Sequence, residues 1–479
     1  MKNILWWIRR DFRLTDNEAL FQAAARAEFV TPIFILDPNL IRSNHVGEKR
    51  LNFLYGGLTH LNDDLLELGS RLIVREGHPL DVFSELRSQV NFDAIFAEAD
   101  FSPYAHQRDS RIHDQFPIEF FGGPTLRYPM AVNKSNGEPY TVFTPYSRAW
   151  KAQSFPSEGQ LLPKPDRIKT PDDIESHPIP PISASLRQSV FVPGEAEAQR
   201  RLKAFIETDR APIYGYRTQR DRMDLDGTSQ LSPYFRFGML SAKQAFAVVN
   251  TAISAVKMGE EYESANTWLN ELIWREFYQS ILYNFPHVRK MSFRENLRLI
   301  EWENNPTDFE AWCNGETGYP IIDAAMRQLS QTGWMHNRAR MIVASFLVKD
   351  LLIDWRWGER WFMQHLVDGD PAANNGGWQW SAGTGTDAAP YFRIFNPILQ
   401  AQKFDPLGEY VTRWLPELSG VPIQFLHKPW EMPLELQEAK HVVIGRDYPG
   451  PIIDHAFARQ RTLERFRLAK DKFERGKGP

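Results

Sequence analysis

Five short apolar, β-rich runs separated by stretches of helical periodicity fill the first 125 residues, and this alternation constrains the fold more than any other feature. The runs are 4–8, 29–36, 71–74, 92–97 and 118–121. Strands that alternate with helices return by crossovers rather than hairpins, which predicts a doubly wound parallel sheet, Rossmann-like, with helices on both faces. Thr15-Asp16-Asn17-Glu18 reads as a capping box opening the helix "NEALFQAAARA". The stretch has neither a GxGxxG fingerprint nor a P-loop. A ligand held by this α/β domain is therefore not held by the usual nucleotide device.

Beyond Pro124 the pattern dissolves. Twelve of the 33 prolines fall in residues 124–193, which predicts an extended connector wrapping the surface. From "PGEAEAQRRLKAFI" to about Leu415 helical periodicity dominates. The predicted division is an α/β domain over 1–125, a connector over 126–195 and an all-α domain over 196–479. No apolar run approaches the ~20 residues of a membrane span. Charges follow closely on the first apolar run, which marks a strand rather than a secretory signal. Cys313 is the only cysteine, so intrachain disulfides and paired-cysteine metal sites are excluded. No metal is expected, and a cytoplasmic protein is the default. The formal net charge of −4 does not mark the whole molecule as a nucleic-acid binder, although a local basic face stays open. The basic last 21 residues read as a solvated helix with a frayed end.

Chemistry concentrates in a few stretches. In "TWLNELIWREFYQSIL", helical spacing puts Trp268, Glu271, Arg275 and Tyr278 on one face, with Trp274 at its edge. Charges on an apolar face are costly unless paired, so this is either an internal salt bridge or a pocket wall. In "GWMHNRARMIVASFLVKDLL", Trp334, Asn337, Arg338, Met341 and Ser345 form a similar stripe; Arg340 lies off it and needs an acid. His336 and His365 read as structural. "DGTSQLSPYFRFG" brings hydroxyls and backbone N–H groups to a helix start, which suits phosphate. "DGDPAANNGGWQWSAGTGTD" gathers acids, amides, glycines and indoles with almost no aliphatic residues. HExxH and GxSxG are absent. Twelve of the 15 tryptophans lie at or beyond Trp268. Indoles fill cores, but they also stack on bases, and together with the phosphate-friendly turn they suggest a redox cofactor beside a nucleobase.

These stretches, with "WWIRRDFRLTDNEAL", "YRTQRD", "GETGYPIIDAAMRQLSQTGWMHNRARM", "RIFNP" and "RWLPEL", resemble the photolyase/cryptochrome flavoproteins, and within them the class I cyclobutane pyrimidine dimer photolyases, over nearly the whole chain. The resemblance implies an antenna domain, a connector and a helical domain holding FAD as FADH−. The activity it implies is light-driven repair of cyclobutane dimers, by electron transfer to a dimer flipped out of UV-damaged DNA. It implies diphosphate-side contacts from Tyr216, Thr228, Ser229, Gln230, Leu231 and Ser232. Trp268, Arg275, Trp334, Asn337, Arg340, Asp368, Gly369, Asp370 and Asn374 are the remaining flavin contacts, with Arg340 and Asp368 as a buried ion pair and Asn374 facing flavin N5. Trp274 and Trp380 are the implied indoles flanking the dimer. Glu271, Asn337 and Met341 are the implied contacts to its rings, and Arg338 and Arg393 those to phosphate. Trp378, Trp355 and Trp302 match the family's tryptophan chain for light-driven flavin reduction, which is separate from repair. "AEADFSPYAHQRD" resembles the branch binding a deazaflavin antenna (8-HDF type) rather than methenyltetrahydrofolate, with Asp100 as a contact. A monomer without a membrane or obligate protein partner is expected. Three alternatives remain, of which a DASH-type protein acting on single strands is the one "TGWMHNRARM" fits less well. (6-4) photolyases carry a histidine where this chain has Met341, and plant-type cryptochrome receptors carry an acid where it has Asn374.

Overall fold

A computed structural model describes residues 1–183, 190–207 and 211–476. Five strands, β1 (Asn3–Ile8), β2 (Phe29–Leu36), β3 (Ile73–Glu76), β4 (Ala94–Glu98) and β5 (Ile118–Phe121), form one sheet in the order β3-β2-β1-β4-β5. Every neighbouring pair is parallel. The winding runs outward from β1 to β3 and then restarts on the other side with β4, so the expected doubly wound sheet is present. β1 is buried along its whole length, as a strand covered on both faces must be. Leu5, Trp7, Ile33, Ile73, Phe83 and Ile95 lie in the core of this sheet.

Local details differ from the sequence reading. The helix Glu18–Arg26 is capped by Asn17, which accepts from the Leu20 backbone N–H. Thr15 is no cap: its N–H donates to Glu195 at 3.1 Å, and Asp16 has φ +52°. β3 starts two residues later than expected, because the Leu72 N–H donates to Asn62 Oδ1 at 3.0 Å instead of to a neighbouring strand. The connector is not wholly extended. It contains the helix Phe143–Lys151, which buries Tyr146, Ser147 and Trp150. The buried Glu276 carboxylate ties this segment down, accepting from Trp150 Nε1 at 2.7 Å, from Arg127 N at 3.3 Å and from Leu126 N. Burial pushes that carboxyl up to about 7, against the pull of these donors.

The contacts divide the chain into two compact units. The first comprises residues 1–217, 229–286 and 367–372; it holds the sheet and the helices Glu195–Ile206 and Glu260–Asn284. The second, residues 218–228, 287–366 and 373–479, contains helices and no strand among its described residues. Trp312, Ile342, Phe346, Leu347, Phe362 and Trp378 lie in its core. The C-terminal helix His455–Gly476 is more than a solvated element, for it buries Ala458, Thr462, Phe466 and Ala469; Lys477 of the basic tail lies outside the described residues. No described helix is long and apolar enough to cross a membrane.

Candidate flavin and substrate site

In the first unit, the winding of the sheet reverses between β1 and β4. Crevices at such points, beyond the C-terminal ends of the strands, are where open α/β sheets bind ligands. Arg10 follows β1 and Asp100 follows β4, and their side chains approach to 3.7 Å. Burial works against the Asp100 carboxylate, yet Arg10, Arg9 and Arg108 hold its pKa below the usual range. Arg10 also pairs with Asp370 at 2.7 Å. Together with Phe101 and Gln279, Arg10 and Asp370 line a small cavity.

The phosphate-friendly turn lies in the same unit. Gln230 has φ +49°, and the short helix Ser232–Phe237 follows with Pro233 in its first turn. Ser232 Oγ donates to Asp368 at 2.6 Å, and Trp268 Nε1 donates to Ser229 Oγ at 3.3 Å. Tyr216 and Leu231 are buried, and Gln230 is half-buried. Tyr216 and Trp268 both pack on Phe205, with ring centroids 6.0 and 5.4 Å away. Asp368 is buried; the Gly369 carbonyl accepts from Arg236 Nε at 2.8 Å; Asp370 accepts from Ala372 N at 3.0 Å. A Cβ at Gly369 would displace the Arg50 guanidinium, which packs directly on the glycine.

Four guanidinium groups, Arg10, Arg50, Arg236 and Arg275, thus meet four carboxyl groups, Asp100, Asp368, Asp370 and Glu276. Burial, with the charge of Arg10 and Arg50 close by, brings Arg236 down to about 9. Burial likewise brings Arg275 to about 10 although Asp370 opposes it, and Arg275 donates to the Pro124 carbonyl at 2.5 Å. Guanidinium groups held below their ordinary pKa by burial are stabilised by an anion nearby. The residues therefore fit an anionic dinucleotide such as FAD. Arg10, Arg50 and Arg236 were not singled out in the sequence: Arg10 stands in "RRDFR" directly after an apolar strand, Arg236 stands in "SPYFRFG", and Arg50 has no local signal.

Glu271, Trp274 and Arg275 are half-buried on the helix Glu260–Asn284, and Trp268 is buried on it.

In the second unit, Asn337 is the first residue of the helix Asn337–Ser345 and is exposed; its Nδ2 lies 3.7 Å from Met341 Sδ. Trp334 precedes this helix, so the predicted stripe begins at Asn337. Thr228 and Trp334 are half-buried here. Arg338 pairs with Asp221 at 2.7 Å and lies over the Phe404 ring at 4.3 Å. Arg340 Nε donates to the Met335 carbonyl at 2.8 Å. Asn374 Nδ2 donates to the backbone and the carboxylate of Glu359 at 3.0 and 3.2 Å, which fixes the amide. Trp380 is half-buried and Arg393 exposed. Trp378 and Trp355 belong to one buried core, and Trp302, partly exposed, packs against it.

His336 caps this helix: its Nδ1 accepts from Arg338 N at 3.1 Å, as expected of a structural histidine. Burial holds its pKa down at about 4, with Arg338 and Arg340 acting in the same direction. The folded state therefore binds fewer protons than the unfolded one between these values. This contribution to stability is complete above about 6.5 and is lost as the pH falls toward 4. Its size is on the order of 3 kcal/mol. His336→Asn keeps a cap acceptor that does not titrate and should flatten the acid limb of a pH–stability curve from urea denaturation.

Comparison with known proteins agrees with this arrangement. The family profile described as "DNA photolyase" matches residues 4–166, and "FAD binding domain of DNA photolyase" matches 268–468. A deoxyribodipyrimidine photo-lyase of Synechococcus sp. is 40% identical over 476 residues, 94% of either chain. The enzyme of that name from Escherichia coli is 39% identical, covering 98% of this chain and 99% of its own. The crystal structure of a class III photolyase from Agrobacterium tumefaciens matches with a TM-score of 0.91 at 34% identity, over 98% of each chain. With the doubly wound sheet, the helical bodies and the cationic, hydroxyl-rich turn already in place, this end-to-end likeness shows that the chain belongs to the DNA photolyase family.

Proposed function

We propose that this chain is a light-driven DNA repair enzyme, a lyase that splits cyclobutane pyrimidine dimers into monomers. The end-to-end likeness to proteins named deoxyribodipyrimidine photo-lyase carries the reading. Residues 1–125 then form the antenna domain, 126–195 the connector and 196–479 the FAD-binding and catalytic domain. FAD, as FADH−, supplies when bound a photoexcitable electron that is lent to the dimer and returned.

The side chains bind, orient and exclude water. Tyr216, Thr228, Ser229, Gln230, Leu231 and Ser232 hold the diphosphate side. Trp268, Arg275, Trp334, Asn337, Arg340, Asp368, Gly369, Asp370 and Asn374 hold the remainder; the lowered pKa values of Arg236 and Arg275 support an anion here. Trp274 and Trp380 flank the dimer. Asn337 and Met341 touch its rings, and Glu271 steadies the negative charge placed on it. Arg393 meets backbone phosphate, and Arg338 does so while sharing its guanidinium with Asp221. Trp302, Trp355 and Trp378 carry charge between flavin and surface. Asp100, beside Arg10 at the reversal of the sheet, holds a deazaflavin antenna of the 8-HDF type. The protein works as a cytoplasmic monomer.

The test is illumination of reduced holoenzyme with UV-irradiated duplex DNA. Dimers should disappear, and Glu271→Ala should lower the yield while leaving the bound flavin in place. Persistence of dimers would reject the function, and an unchanged yield in the variant would reject the role of Glu271. Loss of (6-4) products instead would move the chain to that class, and colour without any repair would leave a receptor.

A further inference from the structure

The connector supplies an aromatic ring to the candidate substrate helix. Phe143, at the start of the helix Phe143–Lys151, lies on Trp274 with ring centroids 3.7 Å apart and planes 4° from parallel. Aromatic pairs left to themselves prefer offset or edge-on arrangements with centroids about 4.5–7 Å apart. Nearly full overlap is therefore a geometry that the surroundings impose. Phe277 stands edge-on to both rings, at 79° to Phe143 and 81° to Trp274. Tyr278 packs on Trp274 from its own helix, with centroids 5.4 Å apart. The Phe143 helix is in turn held by Trp150 on Glu276 at 2.7 Å, by Ser147 on Asn270 at 3.4 Å and by Tyr146 against Phe277. Phe143 and Trp274 are both only partly buried, so the pair is not core filling.

An indole has two faces, and here one is covered by the Phe143 ring, with Phe277 edge-on to the pair. We propose that Phe143 is a positioning residue for the substrate. It backs Trp274, fixes the plane of the indole and leaves a single face for a pyrimidine of the flipped dimer. The inference rests on the reading of Trp274 as a wall of the substrate pocket. It gives the connector a part in recognition and predicts that the stacking plane depends on a residue more than 120 positions away in sequence.

The experiment measures the affinity of flavin-loaded protein for a duplex bearing one cyclobutane dimer and for the same duplex undamaged. Phe143→Leu keeps apolar volume but removes the ring plane; it should weaken dimer binding about three- to tenfold and leave undamaged binding unchanged. Phe143→Tyr should retain wild-type affinity, and Phe143→Leu should add no further loss in a Trp274→Ala background. Dimer affinity unchanged in Phe143→Leu would overturn the proposal. Tighter binding, meaning that Phe143 occupies the place of the base, would overturn it too, as would an equal loss in the Trp274→Ala background. If Trp274→Ala itself binds the dimer normally, the pocket reading fails. If it binds weakly while Phe143→Leu is neutral, only the backing role fails.

Discussion

Alanine at position 238 should leave the protein about 4 kcal/mol less stable, out of the roughly 5–15 kcal/mol typical of a folded domain. Gly238 ends the helix Ser232–Phe237 in the left-handed region, at φ +65°. An L-residue pays about 1–2 kcal/mol there. A Cβ would also overlap the Arg10 carbonyl and sit 2.8 Å from Asp11 Cα. These are backbone atoms and cannot rotate aside. Nor can the loop after β1 retreat, because it is laced to this helix. Phe12 N donates to the Phe237 carbonyl at 3.1 Å, Arg13 Nη1 to the Gly238 carbonyl at 3.1 Å and Arg10 Nε to the Arg236 carbonyl at 3.3 Å. Urea unfolding of Gly238→Ala should show a much lower midpoint with the slope unchanged. A midpoint near that of the wild type would mean that the two backbones have slack which this packing denies.

Trp378→Phe should reduce light-driven recovery of the reduced cofactor to background while leaving repair by pre-reduced protein intact. The indole is buried, edge-on to Phe362 at 5.0 Å and to Trp312 at 6.1 Å. It fits because position 358 is glycine; a Cβ there would fall inside its ring. Its Nε1 has no hydrogen-bond partner among the described residues. No described side chain is placed to take a proton from Trp378, and the buried core it shares with Trp355 is open to its charge. Trp355 is equally buried, whereas Trp302 is partly exposed and can release charge or a proton to solvent. Phenylalanine fills most of the space but is far harder to oxidise. Bleaching of the oxidised-flavin band under blue light with an external thiol is the measurement. Wild-type kinetics in the variant would assign the path to other rings.

The sheet was legible because its pattern is local. β2 and β5 coincide with apolar runs, and for β2, buried from Val30 to Leu36, coverage on both faces leaves no choice of composition. What escaped the sequence depends on distant partners. Thr15 fits a capping box by spacing, but Glu195 claims its N–H from 180 positions away. The helix Phe143–Lys151 hides among prolines, and the residues it buries become visible as a face only once Glu276 receives Trp150. Among the candidate site residues, motif likeness supplied identities. The pairing of Asp370 with Arg10, of Arg338 with Asp221 and of Asn374 with Glu359 came from coordinates alone. The arginine cluster is the extreme case, because its members stand at 10, 50, 236 and 275 and no window contains them together.

The anchoring of the connector on Glu276 has a consequence for length variation. Residues inserted between Arg127 and Phe143 can bulge into water while both moorings hold. Residues removed there shorten the tether and draw Leu126, Arg127 or Trp150 off the carboxyl, which, raised further by the loss of donors, would take up a proton and keep buried oxygens short of partners. The segment is thus tolerant of gain and intolerant of loss, a one-sided rule for what evolution or engineering can do to it.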